Sequence, residues 1–401
     1  MPWLETDVRD QRIQFVLAVR QRRGPVATLC RAFGISRQTG YKWLRREAAA
    51  HSVAVLGDRS RRPHHSPTRT DDGTVDRILA LRDEFGWGGA KLACLLRAEG
   101  LCVAPRTIDR IIQREGRTRR DVAPRPALHR FERSAPNELW QMDAKGAYPL
   151  TAGGRCHPLS ILDDHSRFAV GLYALPALTT TGVRDALVHC FHRYGVPQAM
   201  LMDHGAPWWA ATSGHGLTTL SVFLLKQGIQ LLYGAVRHPQ TQGKVERFHR
   251  TLGERLRWQG VPGTLADFVR AFRSFRAEYN DVRPHAALEM EPPAGRFTPS
   301  RRVYTEAPAP WAYAGDLAVR RVQRNGIIRF NADWHFISEA LSGEEVGCVS
   351  LGDRVLVRYR HMYVRELHLR DRRSIPLLEP VTSLSPAGAV ASAGYDESAM
   401  S

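Results

Sequence analysis

Three acidic side chains stand where a carboxylate can serve as a ligand. Asp143 lies in "ELWQMDAKG", where period-two alternation puts Trp140, Met142 and Ala144 on one strand face and Asp143 on the other with Leu139 and Gln141. Asp203 closes the apolar run "PQAMLMDHG", and Glu246 sits among basic residues in "HPQTQGKVERFHRTL". Acids at strand ends of an α/β sheet lie where open sheets place their ligands, and their oxygens are hard donors. Each also has a plainer account. Aspartate at a strand end is a common turn former, and Glu246 has an i,i+4 ion pair with Arg250 available on a solvated face.

The elements around these acids follow from apolar periodicity. Val245, Phe248, Leu252 and Leu256 make a stripe that packs a helix on a sheet, with Gln242, Glu246, His249 and Arg250 on a neighbouring face. Strands are expected at 139–144, 157–162, 168–175, 198–202 and 229–233, with helices at 182–194 and 217–227, an α/β pattern. A further amphipathic helix, "LADFVRAFRSFRAEYN", ends in "DVRPHAAL". From about residue 317, "LAVRRV", "GIIRFN" and "RVLVRYRHMYVREL" alternate with period two, which predicts a small antiparallel barrel with basic residues on its wet face.

Upstream, residues 8–23 and "PVATLCRAFGISRQTGYKWLRRE" read as helices around a "GIS" turn, the last helix capped by Ser36. That is a helix-turn-helix, with Arg37, Gln38, Thr39 and Lys42 outward and Tyr41 and Leu44 inward. Arg, Gln and Thr at the start of such a helix reach base edges and phosphates, while a helical hairpin with a solvated basic face is the alternative. Residues 73–115 repeat the architecture and end in a helix opening "PRTIDRIIQREG", which offers Arg106, Thr107 and Arg110. The stretch between the two modules is an Arg/Pro/Ser/His-rich linker, in which His64 and His65 lack the partners of a metal site.

Composition points the same way. The 401 residues carry 57 Lys+Arg against 40 Asp+Glu, a net charge of +17. Residues 1–130 hold 26 Lys/Arg against 14 Asp/Glu, so most of the surplus sits in the first third. This is the footprint of a polyanion binder; a membrane-surface protein would need an amphipathic or lipid-anchored segment, and none is visible. The six cysteines form no C-x-x-C pair, and the N-terminus has no apolar signal run, so a reducing, cytoplasmic setting with no membrane partner is expected.

In order along the chain, "LWQMDAKG", "LDDHSRFAVG", "MLMDHG", "HPQTQGKVERFHRTL" and "YNDVRPHAAL" resemble the bacterial insertion-sequence DDE transposases, whose catalytic core is similar to that of retroviral integrases. With the N-terminal modules the resemblance covers nearly the whole chain. It implies a multidomain protein: helix-turn-helix domains at 1–50 and 73–117, linkers at 51–72 and 118–136, a ribonuclease-H-like α/β core at 137–300, the small β-barrel at 315–380 and a disordered tail at 381–401.

By motif position the resemblance makes Asp143, Asp203 and Glu246 the catalytic triad and metal ligands, holding two Mg²⁺ or Mn²⁺ ions per site. Lys244, Arg247 and Arg250 become backbone-phosphate contacts, with a solvated helix face as the alternative. The implied activity is polynucleotidyl transfer: metal-dependent DNA cleavage and strand transfer by a homo-oligomer on double-stranded terminal repeats and target DNA, at the nucleoid. A catalytically silent DNA-binding repressor descended from such an element, and a nuclease that never joins ends, are the competing readings. Two departures stand out. His204 follows Asp203 where many relatives have Asn, and Glu246 stands 43 positions after Asp203, the excess falling in "WWAATSGHG". Trp208 and Trp209 there are either base-stacking groups or loop anchors, and His215 has no assigned role. Asp163, Asp164 and His165 of "LDDHSR" are expected to form a turn and structural hydrogen bonds.

Overall fold

The computed structural model describes residues 7–58, 69–118, 132–210, 216–234, 243–315 and 317–380. The chain divides between Asp71 and Asp72 into two compact units. His64, His65, His215, the turn residues 238–242 and the expected disordered tail lie outside the described residues.

The first unit contains α1 (Val8–Arg20), α2 (Val26–Ala32) and α3 (Arg37–Ala50). Ser36 caps α3 as expected, its Oγ accepting from the Thr39 amide at 3.1 Å. The inward side of α3 differs from the expectation, because Tyr41 is 48% exposed while Gly40 and Trp43 are buried. Packing sets this phase. A Cβ at position 40 would stand 2.6 Å from Cys30 Sγ and 3.0 Å from Phe15 Cζ, so the closest helix approach runs through the glycine and turns Tyr41 outward. The ordered module also continues beyond Ala50. Leu56, in a 3₁₀ turn at Val53–Leu56, is fully buried and its carbonyl accepts from Arg12 at 3.0 Å.

The second unit begins with α4 (Asp72–Phe85), α5 (Gly89–Ala98) and α6 (Pro105–Arg114), which share an apolar centre of Ile78, Leu92, Leu96 and Ile108. Pro105 starts α6, where its missing amide hydrogen costs nothing. Next come β1 (Leu139–Ala144), the short β2 (Tyr148–Pro149), β3 (Arg155–Asp163), β4 (Ala169–Leu175), α7 (Thr180–Tyr194), β5 (Ala199–Met202), α8 (Thr219–Lys226), β6 (Gln230–Tyr233), α9 (Gly243–Gln259) and α10 (Leu265–Ala277).

The strands pair in the order β4-β3-β1-β5-β6, with β2 also beside β3. β1 runs antiparallel to β3 and parallel to β5, and β5 parallel to β6, so a meander joins a doubly wound half at the central β1. This is a ribonuclease-H-like sheet. Trp140 and Met142 pack with Leu187 and Phe191 of α7 and Leu220 and Leu224 of α8. Leu162 and Leu172 pack with Phe248, Leu252 and Leu256 of α9 and Phe268, Phe272 and Phe275 of α10. Strand alternation therefore turns Asp143 away from α7 and α8, toward the α9 side.

The C-terminal segment corrects the expected barrel. β7 (Ala318–Arg321), β10 (Glu345–Leu351), β11 (Arg354–Tyr359), β12 (Met362–His368) and β13 (Arg373–Pro380) form an open sheet ordered β13-β12-β11-β10-β7, while β8 (Ile327–Phe330) and β9 (Asp333–Phe336) pair as a separate hairpin. The two edge strands, β7 and β13, do not meet. The reason is that the apolar face has another cover. Val346, Val355, Val357, Tyr359 and Met362 are continuous with the cluster under α8 and β6, and Met362 Sδ accepts from the Leu231 amide at 3.4 Å. A sheet whose apolar face is already sealed gains little by curling shut.

Candidate active site

Asp143 is four-fifths buried near the end of β1, and its Oδ1 accepts from the Ala144 amide at 2.8 Å. Its strand partner is Ser160 of β3. Ser160 Oγ lies 2.9 Å from Nε2 of His249, whose Nδ1 stands 3.7 Å from Asp143 Oδ2. Burial, then the neighbouring Lys145 ammonium, pushes His249 down to about 4, so the imidazole is neutral near pH 7. Lys145 in turn donates to Tyr148 Oη at 2.8 Å and to the His249 carbonyl at 3.1 Å, which ties the middle of α9 to the end of β1.

Asp203 follows β5 directly. Its Oδ1 accepts from the Gly205 amide at 3.0 Å and from Trp208 Nε1 at 2.7 Å. Trp208 is 2% exposed, and its carbonyl accepts from Ser221 of α8 and Tyr233 of β6. Trp208 is therefore a loop anchor that also orients the acid. Residue type alone had left that choice open. Among the described residues His204 makes no hydrogen bond to Asp203; its ring packs edge-on to Trp209 with centroids 4.5 Å apart, and beside Tyr233.

Glu246 lies in the first turn of α9 and is exposed. The stripe that fixes this helix is buried as expected, Val245, Phe248, Leu252 and Leu256 all being at most 2% exposed. Among the described residues no ion pair joins Glu246 to Arg250. The three acids share one electrostatic neighbourhood. Burial first, then Asp203, then Glu246, push the Asp143 carboxyl up to about 6, the backbone amide of Ala144 opposing them. As they stand, no three His, Cys, Asp or Glu side chains among the described residues are close enough together to hold a metal ion. Uncompensated acids repel one another, and a divalent cation among three oxygen donors would relieve that repulsion. By donor chemistry the set fits Mg²⁺ or Mn²⁺.

Behind the acids, Asp163 and Asp164 are fully buried. Asp163 accepts from the Asn137 amide at 2.7 Å and from Ser166 Oγ at 2.6 Å. Asp164 accepts from Gln141 Nε2 at 2.8 Å and pairs with Lys244 Nζ at 2.6 Å, and His165 Nδ1 lies 2.8 Å from the Arg133 carbonyl. These are the structural hydrogen bonds expected of "LDDHSR". Lys244 is thus engaged by Asp164 within the protein, where it steadies the start of α9. Arg247 and Arg250 are exposed on the same helix. Of the helix-turn-helix candidates, Arg37, Gln38, Lys42, Arg106 and Arg110 are exposed, and Thr39 and Thr107 half-buried.

Sequence reading missed Trp208 as the holder of Asp203, and it missed Asn280. The latter sits in a π-helical turn at Glu278–Val282, its side chain accepting from the Ala169 amide at 2.8 Å and donating to the Ala169 carbonyl at 3.1 Å. It splints the register shift between β3 and β4. The motif "YNDVRPHAAL" was the available signal for Asn280; no local signal marks Trp208.

A sheet of this order, with acids at the ends of β1 and β5, is a ribonuclease-H-like core. Family models agree: residues 133–239 and 227–293 match integrase core domains, residues 11–64 a helix-turn-helix domain and residues 39–112 a homeodomain-like domain. A protein of insertion element IS407 from Burkholderia multivorans is 25% identical over 252 residues, 61% of this chain and 87% of that one. The y4bF protein of Sinorhizobium fredii, which carries a transposase name, is 26% identical over 286 residues, 67% of this chain and 61% of that one. The HTLV-2 integrase catalytic core domain, solved in complex with magnesium, is 15% identical with a TM-score of 0.31, covering 41% of this chain and 97% of that one. These domains and relatives support a DNA transposase of the insertion-sequence kind, with helix-turn-helix domains ahead of an integrase core.

Proposed function

We propose that this DNA transposase cuts the ends of its element and joins them to target DNA at one site built from Asp143, Asp203 and Glu246. The observation that carries the reading is the crowding of Asp143 by the other two acids, which with burial raises its four-fifths-buried carboxyl to about 6. The three carboxylates would hold two Mg²⁺ or Mn²⁺ ions, which supply charge neutralisation at the entering and leaving oxygens of a phosphodiester displacement.

The chain's own groups position the acids. Trp208 and the Gly205 amide orient Asp203, while the Ala144 amide holds Asp143 beside the neutral imidazole of His249. Arg247 and Arg250 face the solvent on the turn after Glu246, where DNA backbone phosphates would approach. Water attacks the phosphorus at the element's end and the 3′-oxygen leaves with a proton. That 3′-hydroxyl then attacks a target phosphorus, forming the new phosphodiester and releasing the target's own 3′-hydroxyl. No covalent bond to the protein forms, so no Ser, Cys or Tyr nucleophile is required.

Arg37, Gln38, Thr39 and Lys42 on α3, and Arg106, Thr107 and Arg110 on α6, are the proposed readers of the terminal repeats. An element has two ends and each chain one set of acids, so a homo-oligomer assembled on DNA is the working form. Domains at 1–50, 73–117 and 137–300 and the open sheet at 315–380 divide these tasks. The work is done where the DNA lies, at the nucleoid.

A strand-transfer assay with terminal-repeat DNA and Mg²⁺ tests the proposal. Asp143→Asn, Asp203→Asn and Glu246→Gln are expected to bind ends and to lose cutting and joining. Joining by any of the three at the wild-type rate would sink the triad. End binding without cleavage by the wild type would instead identify a silent repressor.

A further inference from the structure

Helix α9 has a second packed side. Arg247, Thr251, Glu254 and Trp258 recur at helical spacing on the face away from its apolar stripe, and the α4–α6 module docks there. Trp258 Nε1 donates to the Asp83 carbonyl at 2.8 Å, and the Arg82 guanidinium lies 5.1 Å from the Trp258 ring. A Cβ at Gly86, whose φ is +70°, would stand 2.9 Å from that ring, so the turn after α4 fits the indole only as glycine. Arg255 pairs with Glu278 at 2.6 Å, both being at most 9% exposed. The module that carries α6 is therefore seated directly on the helix that carries Glu246.

Between them lies a cavity of about 620 Å³. Lys91, Arg247 and Arg283 line it around the buried Trp87. The Arg283 guanidinium stands 5.5 Å and the Lys91 ammonium 5.9 Å from the Trp87 ring centroid. Of the lining acids, Asp109 accepts from the Gly89 amide at 2.7 Å and Glu278 is taken by Arg255, which leaves Glu254. None of Lys91, Arg247 and Arg283 belongs to an ion pair among the described residues. Arg255, 8% exposed on the same wall, has a buried Nε with no acceptor among the described residues. Burial, then Arg283, then Arg247, push the Lys91 ammonium down to about 7, as expected of cations gathered without enough counter-charge.

We propose that this cleft seats one backbone phosphate of the DNA end, held by Lys91, Arg247 and Arg283, so that the second helix-turn-helix module and the catalytic helix grip the same strand. The proposal rests on the reading of the protein as an end-cutting transposase, and it assigns a subsite to it. Three features favour a DNA phosphate over another anion. Arg247, on the cleft wall, is the residue after Glu246 on α9. Asp109, from the middle of α6, lines the opposite wall, with Arg106 and Arg110 exposed on the same helix. The donors are a rigid guanidinium pair and an ammonium beside an aromatic wall, which suits a phosphodiester next to a sugar or base.

The test is end binding by the full chain, using terminal-repeat duplexes in which single phosphates are replaced one at a time by uncharged methylphosphonates. Lys91→Ala, Arg247→Gln and Arg283→Ala are each expected to weaken binding about tenfold and to lower the log–log salt slope by about one. One methylphosphonate position is expected to weaken the wild type and to cost the variants nothing further, and Lys91→Arg to restore binding. Because Arg247 is exposed, its variant keeps the core intact and carries the test even where the other two fail to fold. Wild-type affinity and salt slope in Arg247→Gln, or methylphosphonate losses that add to the variant's loss at every position, would overturn the proposal. Cleavage followed in parallel separates the two readings. A wild type that shows the phosphate-specific loss yet never cuts would keep the cleft and defeat the catalytic triad, whereas variants that cut with wild-type affinity would do the reverse.

Discussion

The acid site and the cleft beside it are crowds of like charge with opposite sign. In one, burial, Asp203 and Glu246 push a carboxyl up to about 6; in the other, burial, Arg283 and Arg247 push an ammonium down to about 7. Of the three acids and the three cations, each set has one member on α9, where Glu246 is followed directly by Arg247. A fold that concentrates charge in this way gives up stability at each place, and the sign of the charge says what would restore it: a cation at the first, an anion at the second. Under the proposed reading, adjacent residues of one helix serve both needs of a phosphodiester reaction, Glu246 toward metal and Arg247 toward the strand.

The largest effect is expected from removing charge on the acid side. Asp143→Asn is expected to lower strand transfer by more than about a hundredfold, above the range for groups that only support a ligand. It is also expected to stabilise the metal-free protein by on the order of 2 kcal/mol above pH 6. The sign follows because the folded carboxyl titrates at about 6 and the unfolded one near 3.8, so the penalty builds between those values and is full above 6. Melting temperatures at pH 4 and pH 8 check it; no gain at pH 8 would mean the acids do not crowd.

Next in size, Trp208→Phe removes the indole donor from Asp203 while keeping most of the buried ring. The Mg²⁺ concentration for half-maximal cleavage is expected to rise about tenfold, the effect of losing a group that orients a ligand. A Mg²⁺ titration that matches the wild type would show that the hydrogen bond does not set Asp203.

On the basic side, Lys91→Met is expected to weaken end binding and to raise stability by on the order of 2 kcal/mol at pH 7 or below. The folded ammonium titrates at about 7 and the unfolded one at 10.5, so the penalty grows as pH falls through that window and the gain vanishes above it. Thermal melts across pH 6 to 11 decide this. The smallest effects are expected at α3, where Arg37→Ala and Gln38→Ala cost end binding about 1 kcal/mol more than random-DNA binding. Equal losses on both DNAs would mean that α3 does not read sequence.

Much of the fold was legible in the chain because period-two and period-3.6 patterns were strong. Leu139–Ala144 was read at its observed bounds, Ser36 was read as a cap, and the buried stripe of α9 as the sheet-facing side. Tyr41 and the barrel were misread for one reason. Which side of α3 packs depends on how near Cys30 and Phe15 come to Gly40, and whether the C-terminal strands close depends on what already covers them.

By itself the sequence determined the elements, their order and the three motifs that carry acids, since each depends on residues within a few positions of one another. Only the tertiary structure decided what those acids touch. Trp208 reaches Asp203 because α8 and β6 hold its carbonyl, and the cleft of Lys91, Arg247 and Arg283 exists because the turn at Gly86 fits against Trp258. Such contacts join residues up to about two hundred positions apart, and the burial that shifts Asp143 and Lys91 is a property of the packed chain, not of any local run.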